Sequence, residues 1–316
     1  MRVTNSAIRE PHNRTLPSDL DDVVSAWLAD LAERVHPLPD LQVSYQVRDR
    51  GTVLAERAST HQHYAASTMK LPLVLAAYRR RDAGTLDLDS MLTVHNRFTS
   101  RAGGDFGVEE SEDSDPQVWA AMGTEVSLRW LCRRSIIRSS NLATNLVLEA
   151  VGLAAVTETI EVCGADGIRF ARGIGDFAAQ SLGVGNRVTV AGLNTLLLAL
   201  ADGTAAEPGT CAEVLQVLAD NEIDTDVRGG LPAGVWVAHK NGWVSDAVLD
   251  AALVRPAAGG DRSGEFALSA AVSGRLDNEH PHRLIQSLAS TVWRARTGNS
   301  DLTDSRPGVP AGVGDA

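Results

Sequence analysis

Apolar side chains recur along this chain with two different periods. From Leu41 to Val47 apolar and polar residues alternate, and after the turn at 48–51 a second short run, 52–56, follows, which predicts a β-hairpin. Near the other end, three more short apolar runs predict strands over 235–240, 247–254 and 266–272. Strands are therefore expected at both ends of the chain.

Between and around these strands the apolar spacing changes to three and four residues, which is typical of amphipathic helices. The predicted helices cover residues 19–35, 67–82, 127–138, 141–148, 190–201, 210–220 and 281–295. Antiparallel strands from the two ends can share one sheet, with a helical half inserted between them. We therefore expect an α/β fold of the α+β type.

This pattern also predicts the domain organisation. One domain is expected over 19–297, with an α/β half formed by about 19–60 plus 205–297 and a helical half over about 61–204. The tails, 1–18 and 298–316, are polar or rich in proline and glycine, and we expect both to be disordered.

The composition narrows the possible partners. The net charge of −11 argues against nucleic acid or an anionic membrane as a partner. The longest apolar stretch, around 193–201, is too short to cross a bilayer. No apolar signal segment precedes residue 18, so we expect a cytoplasmic protein as written, or a secreted one if the start has been trimmed. Three scattered cysteines, Cys132, Cys163 and Cys211, predict neither a metal site nor a disulfide framework.

The first candidate catalytic residues in the chain are Ser67 and Lys70. A serine three residues before a lysine at a helix start places hydroxyl and amine on one face, one turn apart. Among 29 Lys and Arg residues only Lys70 and Lys240 are lysines. Arginine keeps its proton in the working pH range, whereas a desolvated lysine can lose it and act as a base. We interpret both lysines as chemical residues.

Other features of the sequence are less specific. The acidic segment within 95–124 is typical of a solvated loop, and a lid over the site is the alternative. His61 and His63 have a spacing that could bind zinc on a strand, but no further ligand set is evident. The glycine-rich stretch 164–189 has neither the Gly-Lys-Ser/Thr nor the Gly-x-Gly-x-x-Gly context of a phosphate loop. We expect no metal and no cofactor.

Three short motifs occur in order: Ser67-Thr68-Met69-Lys70, then Ser139-Ser140-Asn141, then Lys240-Asn241-Gly242. This series resembles the Ser-x-x-Lys, Ser-Asp-Asn and Lys-Thr-Gly set of the class A β-lactamase and penicillin-binding-protein family. The resemblance covers about residues 20–297. It implies an antiparallel sheet of about five strands flanked by helices, with an inserted all-helical half.

The resemblance also implies an acyl-transfer mechanism. Ser67 would be the nucleophile and Lys70 its base, while Ser139, next to Lys240, would deliver a proton to the departing nitrogen. The backbone N–H groups of Ser67 and Trp243 would form the oxyanion hole. It implies further that Asn141 binds the substrate amide, that Gly242 lets the substrate lie along the strand edge, and that Asn145 supports the loop facing the site.

The sequence departs from the family pattern at several positions. Ser140 replaces the middle aspartate, and Asn241 replaces a hydroxyl residue that in the family helps to hold the substrate carboxylate. Asp250 stands near the place of a carboxylate-binding arginine, for which Arg228 could substitute. The loop 164–189 lacks the glutamate that activates the deacylating water, and its Asp176 could take that role or be structural.

The function expected from these features is that of a serine hydrolase acting on β-lactams or a related amide or ester. Two alternatives stay open: a ligand-binding or penicillin-binding-like protein that does not turn over, and a cytoplasmic amidase, esterase or acyltransferase of a biosynthetic pathway. We expect a monomer whose partner is a small-molecule substrate.

Overall fold

The computed structural model describes residues 15–37, 39–257, 261–277 and 279–298, and these residues form ten α-helices and eleven strands. The helices are α1 Leu16–Arg34, α2 Lys70–Asp82, α3 Pro116–Ala120, α4 Leu128–Ile137, α5 Asn141–Val151, α6 Leu153–Val162, α7 Phe177–Ser181, α8 Val190–Ala201, α9 Pro208–Ala219 and α10 Glu279–Thr297. The strands are β1 Gln42–Asp49, β2 Thr52–Arg57, β3 His63–Tyr64, β4 Met91–Thr93, β5 Phe98–Thr99, β6 Asp105–Phe106, β7 Glu125–Ser127, β8 Arg187–Val188, β9 Trp236–Val244, β10 Ala247–Arg255 and β11 Phe266–Ser273.

The main sheet joins the two ends of the chain. Its five strands lie in the order β2-β1-β11-β10-β9, and every neighbouring pair is antiparallel. Strand β1 pairs with β11 with Val43 opposite Val272, so residues separated by more than two hundred positions are neighbours. The predicted fold class is confirmed: a five-strand antiparallel sheet combined with helices, as in the structural neighbours described below.

Side chains alternate between the two faces of this sheet, and each face has its own core. On β10, Leu249, Ala251 and Leu253 belong to the core shared with the helical half, which includes α2, α5 and α8. Val248 and Val254, on the opposite face, pack with α1 and α10. Strand β9 is the edge strand of the sheet, and it contacts α9 and the 3₁₀ turn that precedes α2.

Several boundaries differ from the expectations. Helix α1 begins at Leu16, because Pro17 fits the first helical turn, so the predicted disorder over 15–18 is wrong. The rest of that tail, and the other tail after Gly298, lie outside the described residues. Helix α6 was not predicted, and β9 continues past residue 240 to Val244. Helix α2 begins at Lys70, preceded by a 3₁₀ turn, Ala66–Met69, that holds Ser67.

Over the described residues, no single helix is long and apolar enough to cross a membrane. Helices α5 and α6 together reach the required length, but they meet at an angle of 87°.

Candidate active site

Ser67 lies in the 3₁₀ turn before α2, which packs against β9 and β10. It is partly exposed in the 3₁₀ turn, whereas Lys70, one turn later, is fully buried. The backbone N–H of Lys70 donates to the Ser67 carbonyl, which fixes the relation between the two residues. A partly exposed serine therefore lies one helical turn from a buried amine.

The Lys70 amine is surrounded by neutral oxygens. Its Nζ donates to the Ser139 carbonyl at 2.6 Å, to Ser139 Oγ at 3.0 Å and to Asn141 Oδ1 at 2.8 Å. Burial, and next the charge of Lys240, lower the pKa of Lys70 well below its usual value, while Asp113 opposes this shift. A buried amine with a lowered pKa can exist in the neutral form that a general base needs.

Lys240 lies on β9 opposite Ala251 and is also fully buried. Its Nζ donates to the Asn241 carbonyl at 2.7 Å. Burial lowers the pKa of Lys240 to about 8, although the charges of Asp250 and Asp226 act in the opposite direction. Ser139 Oγ accepts a hydrogen bond from Lys70 Nζ at 3.0 Å, and Lys240 is close enough for its charge to influence that amine.

Gly242 is in close contact with the backbone of Ser67. A Cβ atom added at Gly242 would lie 2.4 Å from Ser67 N and 3.0 Å from Ser67 Cα. The sequence predicts that this glycine leaves room for substrate along the strand edge, whereas in the structure the space beside its Cα is filled by the 3₁₀ turn. The contact brings the Ser67 N–H beside β9, one residue before Trp243, a residue that is 38% exposed.

Asn141 and Asn145 follow the Ser139 turn on α5. Asn141 Oδ1 accepts a hydrogen bond from Lys70 Nζ, and Asn141 Nδ2 donates one to the carbonyl of Glu112 at 2.7 Å. Asn145 donates to the Ile174 carbonyl at 2.8 Å and accepts from the Ile174 N–H at 2.9 Å. Asn145 therefore holds the loop at a residue with an apolar side chain.

Asp176 lies in the same loop but is fully buried. Its carboxylate accepts from Ser100 Oγ at 2.7 Å, from Arg101 N at 2.9 Å and from Ala179 N at 3.1 Å, where it caps α7. Burial alone would raise the pKa of Asp176, but these hydrogen bonds outweigh it and leave the pKa lowered. The geometry is that of a structural cap and gives no support to a water-activating role.

Two residues expected to bind the substrate carboxylate are held by contacts within the protein. Asn241 is fully buried, with Nδ2 donating to Asp226 at 2.9 Å and Oδ1 accepting from Lys240 Nζ at 3.4 Å. Arg228 donates to the carbonyl of Pro232 at 3.1 Å. Asn241 therefore contacts the second lysine from a buried position, and neither Asn241 nor Arg228 lines the cleft described next.

A cleft of about 750 Å³ opens beside the Ser139 turn and the end of β9. Its lining includes Tyr64, Glu112, Asn141, Ile174, Phe177 and Trp243. Sequence reasoning missed Phe177 and Ile174, because nothing in a glycine-rich stretch indicates which side chains face a cleft. It also missed Asp113, whose position in an acidic run is typical of a solvated residue.

The two histidines before the nucleophile do not form a metal site. His63 is buried, with its ring nitrogens 2.7 Å from Ser273 Oγ and 2.8 Å from Ser44 Oγ. Burial, and then the charges of His61 and Arg187, lower the pKa of His63 to about 4. Within the described ranges no group of three or more His, Cys, Asp or Glu residues could hold a metal ion.

The chain matches the sequence profile of a known enzyme family. This profile is described as the β-lactamase enzyme family, and it matches residues 27–295. No curated protein matches the chain.

Solved structures resemble the chain along most of its length. A β-lactamase from Sphaerobacter thermophilus is 22% identical with a TM-score of 0.72, and the match covers 89% of this chain and 99% of that one. A β-lactamase from Xanthomonas campestris is 20% identical with a TM-score of 0.72, covering 88% and 97%. The protein PBP-A is 19% identical with a TM-score of 0.67, covering 86% and 96%. At these identities the likeness shows the shared fold.

Proposed function

The chain belongs to the β-lactamase enzyme family, and from that premise we propose that it is a serine hydrolase that forms an acyl-enzyme at Ser67. The substrate class we propose is a β-lactam or a related amide or ester. The observation that carries this proposal is the buried Lys70 amine, with its lowered pKa, one turn from the partly exposed residue Ser67. Such an arrangement has the parts that an activated nucleophile requires.

In the proposed acylation, Ser67 Oγ attacks the substrate carbonyl carbon and its proton passes to neutral Lys70. The carbonyl oxygen becomes an oxyanion, which the N–H groups of Ser67 and Trp243 would stabilise. When the bond to the leaving nitrogen or oxygen breaks, Ser139 Oγ gives that atom a proton and recovers one from Lys70, 3.0 Å away. Lys70 is neutral again at the end of this sequence, and Ser67 carries the acyl group.

Deacylation needs a water molecule and a base, and the loop offers little for that step. Asn145 holds the loop at Ile174, an apolar residue that lines the cleft, and Asp176 is buried as a helix cap. These observations favour a second candidate function, a penicillin-binding-like protein that is acylated and released slowly. One structural neighbour, the L158E mutant of PBP-A, is described as an acyl-enzyme complex with penicillin G.

Intact-protein mass spectrometry tests the proposal directly. The protein is exposed to a reporter cephalosporin and, separately, to an activated ester, and the mass of the chain is followed with time. We expect an adduct on the wild-type protein and none on Ser67→Ala. A single burst with a lasting adduct would support the slow-release candidate, and steady turnover would support the hydrolase. If neither reagent labels Ser67, the acyl-enzyme proposal is wrong.

A further inference from the structure

The acidic segment 109–115 contains five carboxylates that the structure divides into two groups. The outward-facing group is exposed, and consists of Glu109, Glu110 and Glu112. The other two turn inward: Asp113 is half-buried and Asp115 is fully buried. The segment is therefore neither a wholly solvated loop nor a free lid.

Asp113 contacts the start of α5. Its Oδ2 accepts from the backbone N–H of Leu142 at 2.8 Å and from Ser140 Oγ at 3.1 Å. Its Oδ1 accepts from the N–H of Asp115 at 3.0 Å within its own segment. A carboxylate that receives N–H groups at a helix N-terminus also interacts favourably with the helix dipole.

The segment that carries Asp113 is itself fixed to α4. The buried Asp115 carboxylate accepts two hydrogen bonds of 2.5 Å from the guanidinium of Arg134. Ser114 Oγ donates to the carbonyl of Arg138 at 2.5 Å. Two-point pairing of arginine with a carboxylate fixes orientation as well as distance. Asp113 is therefore presented to α5 from a rigid support.

The turn between α4 and α5 needs such support because Ser139 has a φ of 56°, a conformation that is costly for a residue with a Cβ atom. From one side, Lys70 binds Ser139 and Asn141. From the other side, Asn141 donates to the Glu112 carbonyl, and Asp113 binds the two neighbours of Asn141. The turn is thus held between Lys70 and the acidic segment.

We propose that Asp113 is a positioning residue for the candidate active site: its carboxylate holds the Ser139–Asn141 turn against Lys70 and places a negative charge near the Lys70 amine. In this chain Ser140 stands where the family motif has an aspartate, and Asp113 supplies the carboxylate from another segment. The inference rests on the proposed function in so far as Lys70 is the base.

The electrostatic part of the proposal has a definite sign. Among the described residues, the charges that influence the Lys70 amine are those of Lys240 from β9 and Asp113 from the acidic segment. Burial and Lys240 lower the pKa of Lys70, whereas Asp113 raises it. Asp113→Asn keeps the shape and an acceptor oxygen but removes the charge. The pKa of Lys70 should therefore fall further below its usual value in that variant.

This shift can be measured without any activity, because the chain contains only two lysines. Protein labelled with ¹³C at lysine Cε gives two signals, assigned with Lys240→Arg, and each is titrated by NMR. We expect a lower Lys70 pKa in Asp113→Asn than in wild type, and no change in Glu110→Gln, the exposed neighbour in the same segment. An unchanged Lys70 pKa in Asp113→Asn would overturn the proposal.

The positioning role is tested by moving the carboxylate. Asp113→Ala should slow acylation of Ser67 about tenfold to a hundredfold, since small misplacements of reacting groups have effects of this size. Adding Ser140→Asp should restore part of the rate, because aspartate is favoured as a helix N-cap. Equal rates for Asp113→Ala and Glu110→Gln, or no rescue by Ser140→Asp, would contradict this role.

The two measurements also separate this inference from the proposed function. If Asp113→Ala does not fold, as judged by circular dichroism, the titration of Asp113→Asn still shows whether Asp113 influences the pKa of Lys70. If wild-type Ser67 is never acylated, the proposed function fails, while the lysine titration still establishes or refutes the influence of Asp113 on Lys70.

Discussion

At the scale of single residues, the two lysines are the most informative positions in the chain. Both are fully buried, and the hydrogen bonds of both amines go to neutral oxygens. Arginine at either position would remain charged and could not serve as a base. Burial lowers the pKa of both lysines. This property explains why a chain that otherwise uses arginine for positive charge has lysine at these two places.

The first prediction concerns the pH dependence of acylation. Below its pKa Lys70 is protonated and cannot accept the Ser67 proton, so the acylation rate should rise with pH through the Lys70 pKa. Lys240→Met removes a positive charge that lowers this pKa, so the rising limb should move to higher pH. The rate of adduct formation is measured by mass spectrometry across pH.

Lys70→Arg is the control for that profile. It keeps the charge but has no accessible neutral form, so acylation should fall about a hundredfold or more at every pH. A rising limb that stays in place in Lys240→Met would show that Lys240 does not influence the base.

The second prediction concerns Gly242. A methyl group there would meet Ser67 N at 2.4 Å, and a backbone atom cannot move aside as a flexible side chain can. Gly242→Ala should therefore destabilise the protein by about 1–3 kcal/mol, the usual cost of overpacking, and slow acylation sharply. Urea unfolding and the labelling rate measure the two effects.

Gly209→Ala is the matched control, because nothing lies within 4 Å of a Cβ atom at that position in α9. We expect it to leave labelling unchanged and to be neutral or stabilising by up to about 1 kcal/mol. Similar losses in both glycine variants would show that the contact with Ser67 is not the cause.

At the scale of elements, the loop between α6 and α8 is held by polar side chains from its surroundings. Asn145 on α5 binds both backbone groups of Ile174, and Asn186 accepts from the N–H groups of Ala171 and Arg172. Asp176 caps the N-terminus of α7 and accepts a hydrogen bond from Ser100 Oγ. A loop held at so many points presents Ile174 to the cleft in a defined position.

The third prediction follows from that position. Ile174→Glu would place a carboxylate at the cleft, where it could activate a water molecule toward the acyl group on Ser67. We expect the acyl-enzyme to decay about a hundredfold or more faster than in wild type, the usual contribution of a general base. Ile174→Gln has the same size without the charge and should leave the lifetime unchanged. Equal lifetimes in the two variants would contradict the prediction.

At the scale of the whole molecule, the net charge of −11 affects the approach of charged substrates. Such a charge repels anions approaching through solvent, and added salt screens this repulsion. The fourth prediction is that salt should increase the second-order rate constant for acylation by a cephalosporin, which carries a carboxylate. The constant is measured between about 10 mM and 150 mM NaCl, where the screening length falls from about 30 Å to 8 Å.

A neutral activated ester is the control for the salt effect, and its rate constant should not change over the same range. If salt slows the cephalosporin instead, local cations of the cleft outweigh the overall charge, and the prediction is wrong.

Most of the regular elements could be predicted because their apolar periods are local properties of the chain. The sheet strands and helices such as α8 have clear periods and bury the predicted residues. Helix α6 was missed because its apolar residues follow Gly152 and lead into a glycine-rich stretch, which obscures the period. The last residues of β9 were missed because Asn241 and Gly242 are poor strand formers, and pairing with β10 overrides that preference.

The sequence by itself determined the fold class, the order of the three motifs and the choice of two lysines, because these depend on periodicity, spacing and residue chemistry. Tertiary structure alone decided which side chains face the cleft. Asn241 is buried between Lys240 and Asp226, Asp176 is buried as a helix cap, and a distant loop brings Asp113 to α5. These outcomes depend on contacts between residues far apart in the chain, which no local pattern encodes.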